Sequence, residues 1–236
     1  MNKIILGLIS LVLTLNAAEV YATFNVEADQ KAMLAFDASG ITRVVNYDVA
    51  SSVKKDEILA SLQNSDIKAS LDRAKTALKF AKKDYERQLK VKNLIDAGKF
   101  DQYAFKYENA KNDLAYAQAK YDKTFLRAPF DGIIYAKNIE IGDTVSGMML
   151  KTVFKIQSKS KRKLILGFDQ KYHSSVKVGQ VFRYGVDGDA KRYEGVISKV
   201  YPFANSGNRK IKAEVKANNF IPGLFGEGYI EIPNKK

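Results

Sequence analysis

Two stretches of this chain are versions of one another, and a third stretch of different texture separates them. Residues 39–62 read SGITRVVNYDVASSVKKDEILASL, and residues 131–154 read DGIIYAKNIEIGDTVSGMMLKTVF. Aligned without a gap, Gly40 falls on Gly132, Asn46 on Asn138 and Val49 on Ile141; Val53 falls on Val145, Ile58 on Leu150 and Leu62 on Phe154. Matches at one fixed offset predict two related halves. Each half alternates apolar and polar residues around small or turn-forming positions, the pattern of short antiparallel strands. Neither half is long enough to bury a core alone, whereas two packed face to face are. One β domain built from two pieces is the expectation.

The intervening segment has helical spacing. Core-type residues run Ile67, Leu71, Ala74, Leu78, Ala81 and Tyr85, then, after DAGKFD (96–101), Tyr103, Tyr107, Ala110, Leu114, Ala117 and Tyr121. Both series follow the 4,3 spacing of a heptad seam. Asn64, Ser65 and Asp66 are cap-forming residues at the first start, and Gly98 suits the turn between the helices. Two helices joined by a short loop run antiparallel, so the insert is expected to be a coiled-coil arm about 40 Å long. In LRAPFDGII (126–134), Pro129 cannot continue a helix and restricts the residue before it, so the returning helix ends by Ala128. Asp131-Gly132 then turns the chain into the second β half. From about Lys163 the pattern changes to strands separated by Gly-containing turns: Leu164–Phe168, Val181–Val186, Gly195–Tyr201, Ile211–Val215 and Gly228–Ile232. These suit a small β-barrel.

The first residues are Met-Asn-Lys followed by IILGLISLVLTLNAAEV. A positive start, an apolar run and a small-residue exit match a signal peptide cleaved near Ala17 or Ala18, with retention as an anchor as the rival. No other segment is apolar enough to span a bilayer, so the mature chain is expected to be exported and soluble. The absence of cysteine excludes a disulfide, a thiolate site, a Cys nucleophile and a lipoprotein-type anchor. The formal net charge is +13, but the lysines are spread along helices and strands with no arginine-rich cluster. That reads as a solubilising charge, with a membrane surface or an acidic partner as the alternative and nucleic acid disfavoured.

With these pieces in order, the sequence resembles the membrane fusion proteins, the periplasmic adaptor subunits of bacterial tripartite efflux pumps. The split β half, the heptad hairpin, RAPFDGII with NIEIGDTVSG, LILGFDQKYHSSVKVGQVFRYGV, YEGVISKVYPFANSGNRKIKAEV and PGLFGEGYIEI carry the resemblance over nearly the whole chain after the signal. It implies a mainly β fold with an inserted antiparallel hairpin. The parts are a signal peptide (1–18), an N-terminal strand segment (19–32), a split lipoyl-like domain (33–64 and 126–157), the hairpin (65–125) and a β-barrel domain (158–236). A membrane-proximal domain, present in longer adaptors, is expected to be missing or reduced to residues 19–32. The implied role is non-enzymatic. The arm reaches a TolC-like outer-membrane channel and the barrel docks on an inner-membrane transporter, the resistance-nodulation-division (RND) type being favoured, with six copies forming a periplasmic conduit.

At the hairpin tip the family carries Arg, Leu and Ser spaced by four and then seven residues; Lys90, Leu94 and Asp101 occupy those positions here. Leu94 matches. Lys90 keeps the charge but not the guanidinium fork, and Asp101 replaces a hydroxyl with a carboxylate able to cap the second helix. In the first β half, Ala50 and Asp56 stand where the family has turn glycines, so those turns must avoid positive φ or bear its cost. The second half keeps Gly142-Asp143.

No catalytic constellation is legible, and no cofactor or metal is expected. The sole histidine, His173, lies in KYHSS and reads as a surface turn. Met148 and Met149 read as core, although a thioether metal site would use such residues. Lipoyl carriers present a modified lysine on a tight turn; here LQNSDIKAS leads into helix instead, and Lys68 falls within its first turns. A periplasmic metal-binding or chaperone protein using the hairpin as a clamp is the competing function.

Overall fold

The computed structural model describes residues 18–149 and 151–233. In chain order the elements are β1 (Ala18–Ala28), β2 (Lys31–Leu34), β3 (Gly40–Val45), β4 (Ser52–Val53) and β5 (Ile58–Leu62), then α1 (Ser65–Leu89) and α2 (Ala97–Asp122). Then follow β6 (Phe125–Arg127), β7 (Gly132–Lys137), β8 (Thr144–Val145), β9 (Phe154–Ser158), β10 (Lys161–Asp169), β11 (Val181–Val186), β12 (Arg192–Asn205), β13 (Lys210–Asn218) and β14 (Phe225–Ile232). They form two compact units, one of residues 30–159 and one of the flanking segments. The signal-peptide segment 1–17 lies outside the described residues.

In the first unit the two sequence halves interlock. One four-stranded sheet has the order β2-β9-β7-β4 and the other β6-β5-β3-β8. Each half lends its short strand to the other's sheet: β4 pairs with β7 and β8 with β3. The internal repeat is visible in the ladders. A bulge falls between Thr42 and Val44 and, at the matching place, between Ile134 and Ala136. Beyond β4 and β8 the ungapped alignment slips. Leu62 faces Thr42 as Ile156 faces Ile134, so Leu62 corresponds to Ile156 and not to Phe154, two residues further on. The expected equivalence of Ile58 with Leu150 is lost in the same slip, and Leu150 itself lies outside the described residues. Leu59, Leu62, Ile134, Phe154 and Ile156 fill one core between the sheets.

That slip also corrects the reading of Met148 and Met149. Their side chains are 94% and 77% exposed. The extra residues between β8 and β9 form a loop, so positions that the alignment placed on a buried strand stand in solvent.

The arm leaves this unit between β5 and β6. All twelve seam positions are buried or half-buried, while the residues between them are mostly exposed. Only Leu71, Phe100 and Ala110 are fully buried on the two helices, because a two-helix hairpin has no third element to cover its seam. At its base, Asn64 occupies the N-cap position of α1 without a capping side-chain bond. Its Nδ2 donates instead to Thr124 Oγ1 (2.9 Å), and that hydroxyl donates to the Tyr121 carbonyl (2.7 Å). The cap-forming residue ties the two ends of the arm together. The helix α2 ends at Asp122, earlier than Pro129 requires, and the chain is already β6 before the proline bends it.

The second unit is a closed barrel in the order β1-β10-β13-β12-β11-β14. Burial alternates along its strands, as in β10 and β13, since successive side chains point to opposite faces. Phe24, Leu164, Leu166, Phe182, Ile197 and Ile230 meet inside. The five strands expected from the sequence are all present. The sixth is β1, which pairs with β10 on one side and β14 on the other. Residues 19–32 are therefore not a remnant of a separate domain: 18–28 closes the barrel, and 31–34 is an edge strand of the sandwich. No helix among the described residues is long and apolar enough to cross a membrane.

Candidate interaction site at the arm tip

The tip is built from a short reversal. At the end of α1, Lys90 remains in the helical region, and Val91 N–H donates to the Gln88 carbonyl (3.1 Å). A single 3-10 turn follows at Lys92–Leu94, with Leu94 N–H donating to the Val91 carbonyl (2.8 Å). Ile95 is extended, and Asp96 caps α2, its Oδ1 accepting from Lys99 N–H (3.1 Å). Just below, Phe100 is buried against Tyr85 (ring centroids 5.6 Å apart), and Tyr85 stacks on Tyr107 (5.3 Å). The Lys92 ammonium sits over the Phe100 ring (4.8 Å). Aromatic packing of this kind gives a stiff end to a thin arm.

On that stiff end Leu94 is 84% exposed, and Leu89 and Val91 are also uncovered. Three apolar side chains in water at the extremity of a projecting element are what a partner's apolar surface would cover. Lys90 and Asp101 are exposed as well, on opposite limbs of the hairpin, and no hydrogen bond or ion pair joins the three expected contact residues. Asp101 does not cap α2. It lies in the second turn of the helix, and Asp96 has the capping role. Gly98 likewise belongs to the first helical turn and not to the reversal; a Cβ there would stand 3.1 Å from the capping Asp96 Oδ1.

The remaining sequence candidates have structural places. Gly40 opens β3 and Gly132 opens β7. Of the three β-domain glycines singled out, Gly142 alone sits in a turn at positive φ (95°). In the first half its counterpart Ala50 does bear the cost, at φ 71°, and so does Asp56, at 67°. At the re-entry, Asp131 Oδ1 accepts from Lys55 N–H (2.7 Å), and Ala128 exchanges backbone bonds with Asp56 and Glu57. Glu57 Oε2 accepts from Lys54 N–H (2.9 Å) and the Tyr47 hydroxyl (3.0 Å), which holds its carboxyl below the usual range. Lys68 is in the first turns of α1, not at a hairpin apex. His173 is exposed at the end of a 3-10 turn, its Nδ1 3.2 Å from the Gln170 carbonyl. Among the described residues no group of three or more His, Cys, Asp or Glu is placed to hold a metal ion.

A barrel, a split sandwich and an arm inserted in the sandwich recur in solved structures. A MacA–MexA chimera carrying the Pseudomonas aeruginosa MexA α-hairpin superposes with a TM-score of 0.82 at 20% identity, over 92% of this chain and 81% of that one. The membrane fusion protein Spr0693 of Streptococcus pneumoniae superposes with a TM-score of 0.71 at 16% identity, over 92% of this chain and 100% of that one. The fold is that of the membrane fusion proteins. In sequence, the cobalt-zinc-cadmium resistance protein CzcB of Cupriavidus metallidurans is 26% identical over 208 residues, 79% of this chain and 40% of that protein. The chain spans about half the length of the curated relatives it matches, 56% and 40% of them. No family model matches it. What it shares with the membrane fusion proteins is the order and architecture of parts.

Proposed function

We propose that this chain is a periplasmic adaptor, exported by its N-terminal segment, that joins an inner-membrane efflux transporter to a TolC-like outer-membrane channel. The observation that carries the reading is the arm: a two-helix projection of 25 and 26 residues whose extremity presents bare Leu94 on an aromatic-stiffened tip. A helical projection of that length, about 37 Å, has no use within the sandwich it leaves. It does suit a reach across an aqueous gap toward another helical surface. Lys90, Leu94 and Asp101 are the proposed channel contacts, with the barrel docking on a transporter of the RND type and six copies forming the conduit. CzcB is by its printed name a metal-resistance protein, which makes metal-ion efflux one cargo class to examine. The rival clamp or metal-binding function would have to draw on Met148, Met149 and His173, all three exposed.

The test is Leu94→Asp. A photo-crosslinker at position 94 in the parent should capture an outer-membrane channel in intact cells. The Asp variant should lose channel co-purification while keeping the parent's circular dichroism and melting temperature. Undiminished co-purification of the channel with the Asp variant would remove the tip from the mechanism.

A further inference from the structure

The two ends of the barrel differ in charge. At one end lie the β10–β11 connection (170–180) and the end of the β12–β13 hairpin (201–210), joined by Gln170 N–H donating to the Arg209 carbonyl (3.0 Å). These two segments contain Lys171, Lys177, Arg209 and Lys210 and no carboxylate. At the other end the β11–β12 turn (187–191) is DGDAK, with two aspartates and one lysine, and the β13–β14 connection (219–224) is uncharged. Carboxylates near the basic end are mostly engaged. Asp169 accepts from Lys171 N–H (2.9 Å), Glu214 from the Tyr201 hydroxyl (2.6 Å) and Glu231 from Arg183 (2.5 Å), while Glu19 is exposed. The cations are held less firmly. Lys210 donates to Thr23 Oγ1 (3.2 Å), Lys171 lies over the Tyr172 ring (5.0 Å), and Lys177 and Arg209 are exposed.

The same end carries bare aromatic surface. Between Val200 and Ala204, Tyr201, Pro202 and Phe203 of β12 stand opposite the single Lys212 of β13. A bulge of this kind re-aims side chains, and Phe203 is 58% exposed, its ring edge-on to Tyr201 (centroids 6.1 Å). Val178, next to Lys177, is a second uncovered apolar residue there. The register places the start of the barrel at this end too. β1 runs past the end of β10, from Ala22 opposite Phe168 back to Ala18 opposite Ile232. The apolar residues 4–13 therefore join the barrel at its basic end, and Lys235 and Lys236 follow Ile232 in sequence.

We propose that this end of the barrel lies on the surface of an anionic bilayer. Phe203 enters the boundary between headgroups and acyl chains, and Lys171, Lys177, Arg209 and Lys210 meet lipid phosphates. An exposed ring among cations is the combination that binds such a boundary. The ring supplies apolar area, the negative surface attracts the cations, and their alkyl stems let the charge stay at headgroup level. An acidic protein would match the cations but gives no reason for the position of residues 4–13. Whether that segment is cleaved or retained, Ala18 is where the exported chain parts from the membrane. The inference goes beyond the adaptor reading and shares with it only export.

The chain contains no tryptophan, so Phe203→Trp gives a single fluorescent reporter at this end. Phe225→Trp, at an equally exposed position (59%), gives one at the other. With phosphatidylglycerol vesicles the emission from position 203 should shift to the blue and be quenched by lipids brominated along the acyl chain. Emission from position 225 should not change. Binding should weaken at least about tenfold in phosphatidylcholine vesicles, and by a similar factor when Lys177→Glu and Arg209→Glu are combined. Without any reporter, co-sedimentation of Phe203→Ser with phosphatidylglycerol vesicles should be at least about tenfold weaker than that of the parent. An unshifted reporter at position 203 in saturating vesicles would overturn the proposal and leave the basic end to an acidic protein. Equal shifts at positions 203 and 225, or parent-like sedimentation of Phe203→Ser, would overturn it as well. Binding indifferent to vesicle charge and to the charge reversal would overturn it by assigning attachment to residues 4–13 alone. Tip-dependent capture of a channel is read separately, so the lipid contact can fail while the adaptor function stands.

Discussion

Two glycines that align in the repeat have different reasons for being glycine. A Cβ on Gly132 would meet the Gln157 carbonyl at 2.6 Å and Ile156 Cγ1 at 2.8 Å, whereas one on Gly40 would make ordinary contacts, with Leu62 at 3.5 Å and the Gln63 carbonyl at 3.9 Å. Gly132→Ala should therefore destabilise the sandwich by about 1–3 kcal/mol, the usual cost of overpacking, and Gly40→Ala should change its urea midpoint little. Chemical denaturation of the two variants side by side checks the contrast. The turn at Ala50 gives the opposite sign. Its φ of 71° is unfavourable for a residue with a Cβ, and Gly142 has that place in the other half. Ala50→Gly should stabilise by about 0.5–1 kcal/mol, the relief of strain exceeding the added freedom of the unfolded chain. Glu57 sets a pH dependence. Lys54 N–H, first, and the Tyr47 hydroxyl stabilise its charged form, so its folded pKa is depressed. The resulting stability is present above the ordinary glutamate pKa and disappears as pH falls through the lower folded value. Melting temperatures followed from pH 7 down to the acid transition should fall less steeply in Glu57→Gln than in the parent.

Among the elements, legibility in the sequence follows the range of the forces involved. The arm was readable because a heptad seam is local: Leu71, Leu78 and Tyr85 announce their shared face within a few turns, and the structure buries that face. The five C-terminal strands were readable from alternation between turn residues. β1 has the same alternation, Val20, Ala22, Phe24 and Val26 pointing inward, yet its partners are β10 and β14, far along the chain. Nothing local marks it as a barrel strand. The helix ends are not legible locally for a related reason. Asp96 and Asp101 are equally able to cap, and the choice depends on where the reversal places the first free N–H groups, which the 3-10 turn at Lys92–Leu94 decides. The exposure of Met148 and Met149 is hidden from the sequence because a repeat aligned without gaps cannot show an insertion of two residues. At the tip, position was legible, but the exposure that gives Leu94 its meaning was not.

For the whole molecule, the interlocking of the halves decides what the arm contributes. β4 and β8 bind each half to the other's sheet, and Asn64 and Thr124 already stand within hydrogen-bonding distance at the arm's base. Excising residues 66–122 and joining the ends with a short Gly-Ser link should leave the sandwich folded, because none of its ladders runs through the helices. Circular dichroism should show the loss of helix alone, with the near-ultraviolet signal of the barrel retained. In the adaptor reading the shortened chain should also lose the channel and keep the transporter.

The barrel has a consequence for how the chain acquires its structure. Among the described strands β1 emerges first on any route that delivers the N-terminus first, and β14, its partner from Ala18 to Asn25, emerges last. Until that final strand arrives, the edge of β1 that takes β14 must stay open even once β10 has covered the other, with the sandwich and arm encoded between them. Open edges of that length are where chains join one another wrongly. The interval before closure is the moment at which this protein would most need a holding chaperone.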